Sequence, residues 1–292
     1  MDRLASLTFL STSPKYDLEK PYEIWIDSHE ETNCVFEEYH DIRIKDIRDI
    51  TDQFTLDSSG FEYIEHKSIA LPPSGAELED GGRHSILPYL NETLELVRDY
   101  TGASKAICFD WRFRKNKIAT QRTNPENPVN VNPEDNRFAA IPPASVVHQD
   151  ESGAGGDIVV TRYLTESELD ELKSYRVRII NVWRPIVSRV EDAPLAFCDR
   201  RSVLPEDVQV CDKVQTTFVG EGTYLQYSPA HQWYWWPKQS RDRPVLFVTW
   251  DSEIKNDLAC PPHASFIDML GNADATPRES IEVRTIVFDK KN

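Results

Sequence analysis

Residues 277–288 read PRESIEVRTIVF, from Pro277 to Phe288. Side chains two apart on a strand share a face. Arg278, Ser280, Glu282 and Arg284 therefore line one side of this stretch, and Ile281 and Val283 the other. Four polar groups on one face are costly unless they meet water, each other or a ligand. Two readings stand. One is a solvated face with a Glu282–Arg284 contact. The other is an anion anchor, because a guanidinium grips a carboxylate at two points and a neighbouring hydroxyl can bond the same group.

Working outward, further stretches rich in β-branched and aromatic residues predict strands at 21–27, 61–68, 105–114, 177–186, 223–229, 232–237 and 244–252. A short strand is expected in ASVVHQD (144–150). Leu87, Leu90, Leu94 and Val97 recur at helical spacing and predict a helix from Ser85 to about Tyr100, ended by Gly102. Ile44, Ile47, Ile50 and Phe54 show the same spacing over a shorter span. Thr165-Glu166-Ser167-Glu168 has the form of a capping box opening a helix toward Tyr175. The Pro-, Asn- and Asp-rich run over 121–143 reads as a long loop, a candidate lid leading into His148. Helices come early and strands dominate later. That order suits an α+β protein with helices packed outside a β-sandwich or barrel.

The chain has 292 residues, 39% apolar and 28% charged, as expected of an ordinary globular protein with a substantial core. Its net charge of −16 argues against a nucleic-acid partner. No apolar run approaches the roughly 18 residues that cross a bilayer. The five scattered cysteines show no metal spacing and read as free thiols, so the expected location is cytoplasmic. Oligomeric state is not legible.

His148 and Asp150 stand two apart at the end of a short apolar strand, so both can reach one ion. His263 lies far downstream, its backbone constrained by Pro261-Pro262. Two imidazoles and a carboxylate on one face of an iron leave positions open for a 2-oxo acid and dioxygen. Taken singly, His-x-Asp is a common tripeptide, and a loop histidine bonded to backbone is the plainer reading of His263.

The set His148-x-Asp150, His263 and then Arg278-x-Ser280 resembles the Fe(II)/2-oxoglutarate-dependent dioxygenases. The stretches NVWRP (181–185), PLAFCD (194–199), Tyr227-Ser228-Pro229 with His231 and Trp233-Tyr234, and PRESIEVRTIVF narrow this to a mainly fungal family. It includes gibberellin desaturase-like and cephamycin hydroxylase-like proteins. The resemblance covers roughly residues 105–288.

It implies a double-stranded β-helix (a jelly roll, cupin-like) with helices packed outside. The chain would form one dioxygenase domain over 1–292, with a helix-containing N-terminal part (1–104) and a jelly-roll core (105–292). It further implies His148, Asp150 and His263 as Fe(II) ligands, and Arg278 as partner of the distal 2-oxoglutarate carboxylate, with Ser280 beside it. Arg184 and Arg284 are second contacts or barrel-face ion pairs. Arg112, Arg114, Trp233 and Trp235 are candidate substrate residues, with a core or surface position the competing role for the aromatics; His231 reads as a surface turn after Pro229, with support of the metal ligands from behind as the alternative. The implied reaction, with O2 as the other co-substrate, hydroxylates or desaturates a small natural product or an amino-acid-like precursor. Two alternatives remain: a non-catalytic jelly-roll binding protein, and a metal-dependent hydrolase, which leaves Arg278 and Ser280 unexplained.

Overall fold

The computed structural model describes residues 1–26, 29–73, 83–116, 137–171, 174–254, 256–271 and 274–290. In the N-terminal part run β1 (Arg3–Leu10), β2 (Tyr22–Ile26), β3 (His29–Thr32), β4 (Phe36–Asp46), β5 (Phe61–Tyr63) and helix α1 (Arg83–Thr101). Then come β6 (Lys105–Lys115), β7 (His148–Gln149), α2 (Gly153–Tyr163), α3 (Glu166–Glu171) and β8 (Tyr175–Pro185). The rest is β9 (Leu195–Cys198), β10 (Val208–Gln215), β11 (Val219–Leu225), β12 (Trp233–Trp235), β13 (Val245–Asp251), β14 (His263–Ser265) and β15 (Glu279–Lys290).

The strands form two sheets of a double-stranded β-helix. The larger has ten strands in the order β1-β4-β12-β9-β14-β7-β11-β10-β2-β3. The smaller has five, β5-β13-β8-β15-β6. The first 104 residues hold a helix, as expected, but they also supply β1–β4 to the larger sheet and β5 to the smaller.

Helix α1 covers the outer face of the smaller sheet. Ile86, Tyr89 and Leu90 pack on Phe113, Ile281 and Val283, and Val97 packs on Ile180, Val182 and Val287. Each such burial contributes about 1.5–3 kcal/mol. The buried stripe is shifted from the expected one, since Leu87 is exposed and Ile86 and Tyr89 point inward. Gly102 ends the helix with φ of 70°, the left-handed region that glycine enters freely. Between the sheets lie Trp183, Val245 and Phe247 from the smaller and Leu195, Phe197 and Tyr234 from the larger.

Several expectations change. Ile44 belongs to strand β4, and the segment after it is a turn with a 3-10 helix at Thr51–Gln53, not an amphipathic helix. The capping box forms, with the Glu168 carboxylate accepting from Thr165 N at 2.8 Å, but α3 stops at Glu171. Helix α2 has no counterpart in the sequence reading. Its GAGG start is poor helix sequence, yet a Cβ on Gly155 would lie 1.9 Å from the Glu221 carbonyl oxygen and one on Gly156 2.0 Å from the Trp250 ring. The glycines let the helix press directly on β11 and β13. Residues 121–136 of the expected lid loop lie outside the described residues. From residue 137 the chain returns to the β6 edge, where Ile141 N donates to the Phe113 carbonyl at 3.0 Å. All five cysteines are free. Among the described residues no helix is long and apolar enough to cross a membrane.

Candidate metal centre

Strand β7 is only two residues long and is held on both sides, by β11 and β14. In that register His148 stands directly opposite His263, with ring centroids 4.5 Å apart. Asp150 follows on the same side. One donor atom from each of His148, Asp150 and His263 fits within a mutual spread of 4.8 Å. Each His Nε2 lies 3.9 Å from a different Asp150 oxygen.

The donor set suits a divalent transition metal. His148 Nδ1 donates to the Val146 carbonyl at 2.8 Å and His263 Nδ1 to the Pro261 carbonyl at 3.1 Å. Those bonds leave both Nε2 lone pairs turned toward Asp150. Burial, reinforced by the neighbouring His263 ring, holds the His148 pKa well below the ordinary histidine value. It is therefore neutral at pH 7, the form that binds a metal. Phe197 and Phe247 pack against the His263 ring, at centroid distances of 5.5 and 4.9 Å.

Asp150 is itself held. Asn181 Nδ2 donates to one carboxylate oxygen at 2.9 Å and Arg284 Nη2 approaches the other at 3.5 Å. Glu282 ties these two together, accepting from Arg284 Nε at 3.0 Å and from Asn181 at 3.4 Å. The sequence reading gave Asn181 no role. The available signal was an amide in the middle of an apolar strand, where it must find partners.

Immediately before β15, Arg278 is 1% exposed. Its Nη1 donates to the Ala193 carbonyl at 2.7 Å and to Ser265 Oγ at 3.1 Å, and its guanidinium lies 5.5 Å from the Trp183 ring centre. Among the described residues its Nε has no partner, and neither has the buried Ser280 Oγ two residues on. Burial, then the nearby Arg114 charge, pushes the Arg278 pKa down to about 9. The side chain remains a cation at pH 7, buried and under-compensated.

Residues 7–288 match the family model described as "YDMC: Oxidoreductase/YMDC permease-like domain". The chain belongs to that family. Among characterised relatives it is 29% identical over 253 residues to the Fe(II)/2-oxoglutarate-dependent dioxygenase nvfI of Aspergillus novofumigatus, covering 85% of this chain and 83% of that one. It is 25% identical over 257 residues to the hydroxylase/desaturase efuI of Hormonema carpetanum, covering 84% and 82%. A solved structure titled iron and alpha-ketoglutarate-dependent endoperoxidase NvfI with different conformation superposes with a TM-score of 0.81 at 25% identity, over 99% of this chain and 98% of that one. This chain is accordingly an Fe(II)/2-oxoglutarate-dependent dioxygenase.

The other candidate residues of this dioxygenase fall in three places. Arg112 and Arg114 share the inner face of β6, paired with Glu282 and Ser280 of β15. Arg184 does not join the site. It is as buried as Arg278, but its Nε donates to Tyr89 Oη at 3.1 Å, its Nη1 to the His66 and Arg241 carbonyls at 2.8 and 2.7 Å, and its Nη2 bonds His66 Nδ1 at 2.7 Å. Period two explains this, because Arg184 falls on the outer face of β8 with Val182 and Ile180. Arg284 serves Asp150 and Glu282, so it too is spent.

Trp233 and Trp235 are core residues. They pack with Val147 and Ala264, the chain neighbours of His148 and His263, and so lie on the opposite face of the larger sheet. His231 is no surface turn either: it is buried and its Nε2 sits 3.0 Å from the Asp207 carboxylate.

Proposed function

We propose that His148, Asp150 and His263 hold the iron of this dioxygenase, and that Arg278 and Ser280 bind the distal carboxylate of 2-oxoglutarate. The reading is carried by two orphaned buried groups two residues apart at the start of β15, Arg278 Nε and Ser280 Oγ. Buried polar groups are rarely left without partners. A carboxylate between them supplies both, and compensates a buried cation. A non-catalytic binding protein has no use for two imidazoles with free Nε2 atoms facing a carboxylate. A hydrolase has none for the anchor.

When bound, iron and 2-oxoglutarate supply dioxygen activation coupled to decarboxylation of the co-substrate. The protein's part is positioning. The two Nδ1–carbonyl bonds fix ring orientation and tautomer. Asn181 and Arg284 hold the Asp150 carboxylate in place. Trp183 walls one side of the Arg278 guanidinium, while Ala193 and Ser265 occupy its Nη1 and leave the Nε edge for ligand.

The substrate in this reading is a small natural product, oxidised by hydroxylation or desaturation. Which outcome follows depends on sub-ångström placement of the carbon attacked. The chain acts as one domain, since β1–β5 complete both sheets, and a cytoplasmic setting without nucleic-acid partners agrees with its charge of −16.

The test is anaerobic addition of Fe(II) and then 2-oxoglutarate, followed by visible spectroscopy. The chelate's weak charge-transfer band should develop with wild type and be absent with His148→Ala. No band in the wild type, or an undiminished one in the variant, would overturn the assignment.

A further inference from the structure

The inner face of β6 carries more positive charge than the described residues compensate. Asp110, Arg112 and Arg114 stand on it in succession, paired with Arg284, Glu282 and Ser280. The Asp110 carboxylate has three guanidinium neighbours: Arg112 Nη2 at 3.3 Å, Arg137 Nε at 3.4 Å and Arg284 Nη1 at 4.0 Å. None reaches the 2.7–2.9 Å or so of a charge-assisted hydrogen bond, and Asp110 Oδ1 is buried without one. Glu282, the other acid on this wall, is occupied by Arg284 and Asn181.

Arg112 and Arg114 are left over. Arg112 Nη1 is buried with no partner. Arg114 makes one hydrogen bond, from Nη1 to the Pro142 carbonyl at 2.9 Å. Burial lowers the pKa of both, offset in part by the charge of Asp110 on Arg112 and of Glu282 on Arg114. Arg114 is close enough to the metal group for its charge to act on His148 and for the Asp150 charge to act on it. Two guanidiniums two residues apart on a strand are separated at the backbone by roughly 6.6 Å, a span that one carboxylate bridges with an oxygen to each.

We propose that the primary substrate is a carboxylate-bearing small molecule, and that Arg112 and Arg114 bind that carboxylate and set its orientation at the metal centre. This rests on the dioxygenase reading above and adds the substrate's charge to it. An anion here neutralises the unmatched wall and gives Arg112 Nη1 its partner. A neutral substrate of the same shape leaves both costs in place.

Octanoate and octanamide share a chain and differ in charge, so they isolate the effect. Each is titrated calorimetrically into Mn(II)-loaded protein saturated with N-oxalylglycine, an unreactive 2-oxoglutarate analogue. Octanoate should bind at least tenfold more tightly than octanamide. Arg112→Gln and Arg114→Gln should each remove most of that preference and leave N-oxalylglycine affinity unchanged, while Arg112→Lys keeps part of it. Equal binding of the two probes to wild type overturns the proposal and needs no variant to fold. So does an unaltered preference in both Gln variants. Loss of N-oxalylglycine binding in Arg114→Gln overturns it as well, since that assigns the arginine to the co-substrate. If wild type fails to take up N-oxalylglycine at all, the anchor reading fails instead. The same two probes titrated into metal-free protein then still decide the present proposal.

Discussion

Arg184 and Arg278 are equally buried, each 1% exposed; Arg184 lies in β8 and Arg278 immediately precedes β15. Their surroundings differ in one respect. The pocket around Arg184 uses Nε, Nη1 and Nη2, with His66, Tyr89 and Arg241 supplying acceptors. The pocket around Arg278 uses Nη1, leaves Nε bare and sets an equally bare hydroxyl beside it. A saturated buried guanidinium holds a fold together. An unsaturated one still has a donor to offer.

The largest expected effect breaks the Arg184 side. Arg184→Met strands at least two buried acceptors, and at about 1–3 kcal/mol each the loss should be about 3–5 kcal/mol of stability, read by urea denaturation. Binding of 2-oxoglutarate by the folded fraction should be untouched; weakened binding with full stability would exchange the roles of the two arginines. Arg278→Met should do the reverse. Its 2-oxoglutarate affinity should fall by about 2–5 kcal/mol, with ligand-free stability unchanged or improved. At a hundredfold excess over Kd, ligand should stabilise wild type by about 2.7 kcal/mol, and this thermal shift should vanish in the variant. Ser280→Ala should cost about 1 kcal/mol in 2-oxoglutarate binding and nothing in stability, because its hydroxyl has no partner to lose.

The smallest effect lies outside both pockets. Lys105 and the Thr165 cap hold the partly exposed Glu168 carboxyl at about 2, below the usual carboxylate value. A depressed acid contributes stability above its ordinary pKa and loses it as pH falls through the depressed one. Glu168→Gln should therefore melt slightly below wild type at pH 7, and the two curves should meet near pH 2. A constant gap down to pH 2 would place its effect in packing and not in charge.

How much of this the sequence carried varies residue by residue. The grouping of His148, Asp150 and His263 was legible because strand alternation and motif order both constrain it, and alternation also put Arg278 and Ser280 on one face. Arg184 was not legible, since β8 is buried on both faces and an apolar run gives no sign of which side is inward. Trp233 and Trp235 misled for the same reason: both faces of β12 are covered, and period two sent Tyr234, not the tryptophans, between the sheets. Ile44, Ile47, Ile50 and Phe54 kept helical spacing across a strand end and a turn, where spacing carries no meaning. Helix α2 was hidden because its glycines serve close approach to Glu221 and Trp250, a tertiary demand that overrides helix propensity. Asn181 shows the opposite case, a polar residue within an apolar run whose presence was itself the signal.

The direct pairing of His148 with His263 also bears on how the chain folds. The two meet only when β7, β9, β11 and β14, drawn from widely separated parts of the chain, have joined in one sheet. Pairings of such high contact order form late. A slip of one residue in β7 would turn His148 to the far face. A chain with a mis-registered larger sheet cannot present both imidazoles to one ion. It forgoes the stabilisation that the ion gives to chains assembled in register.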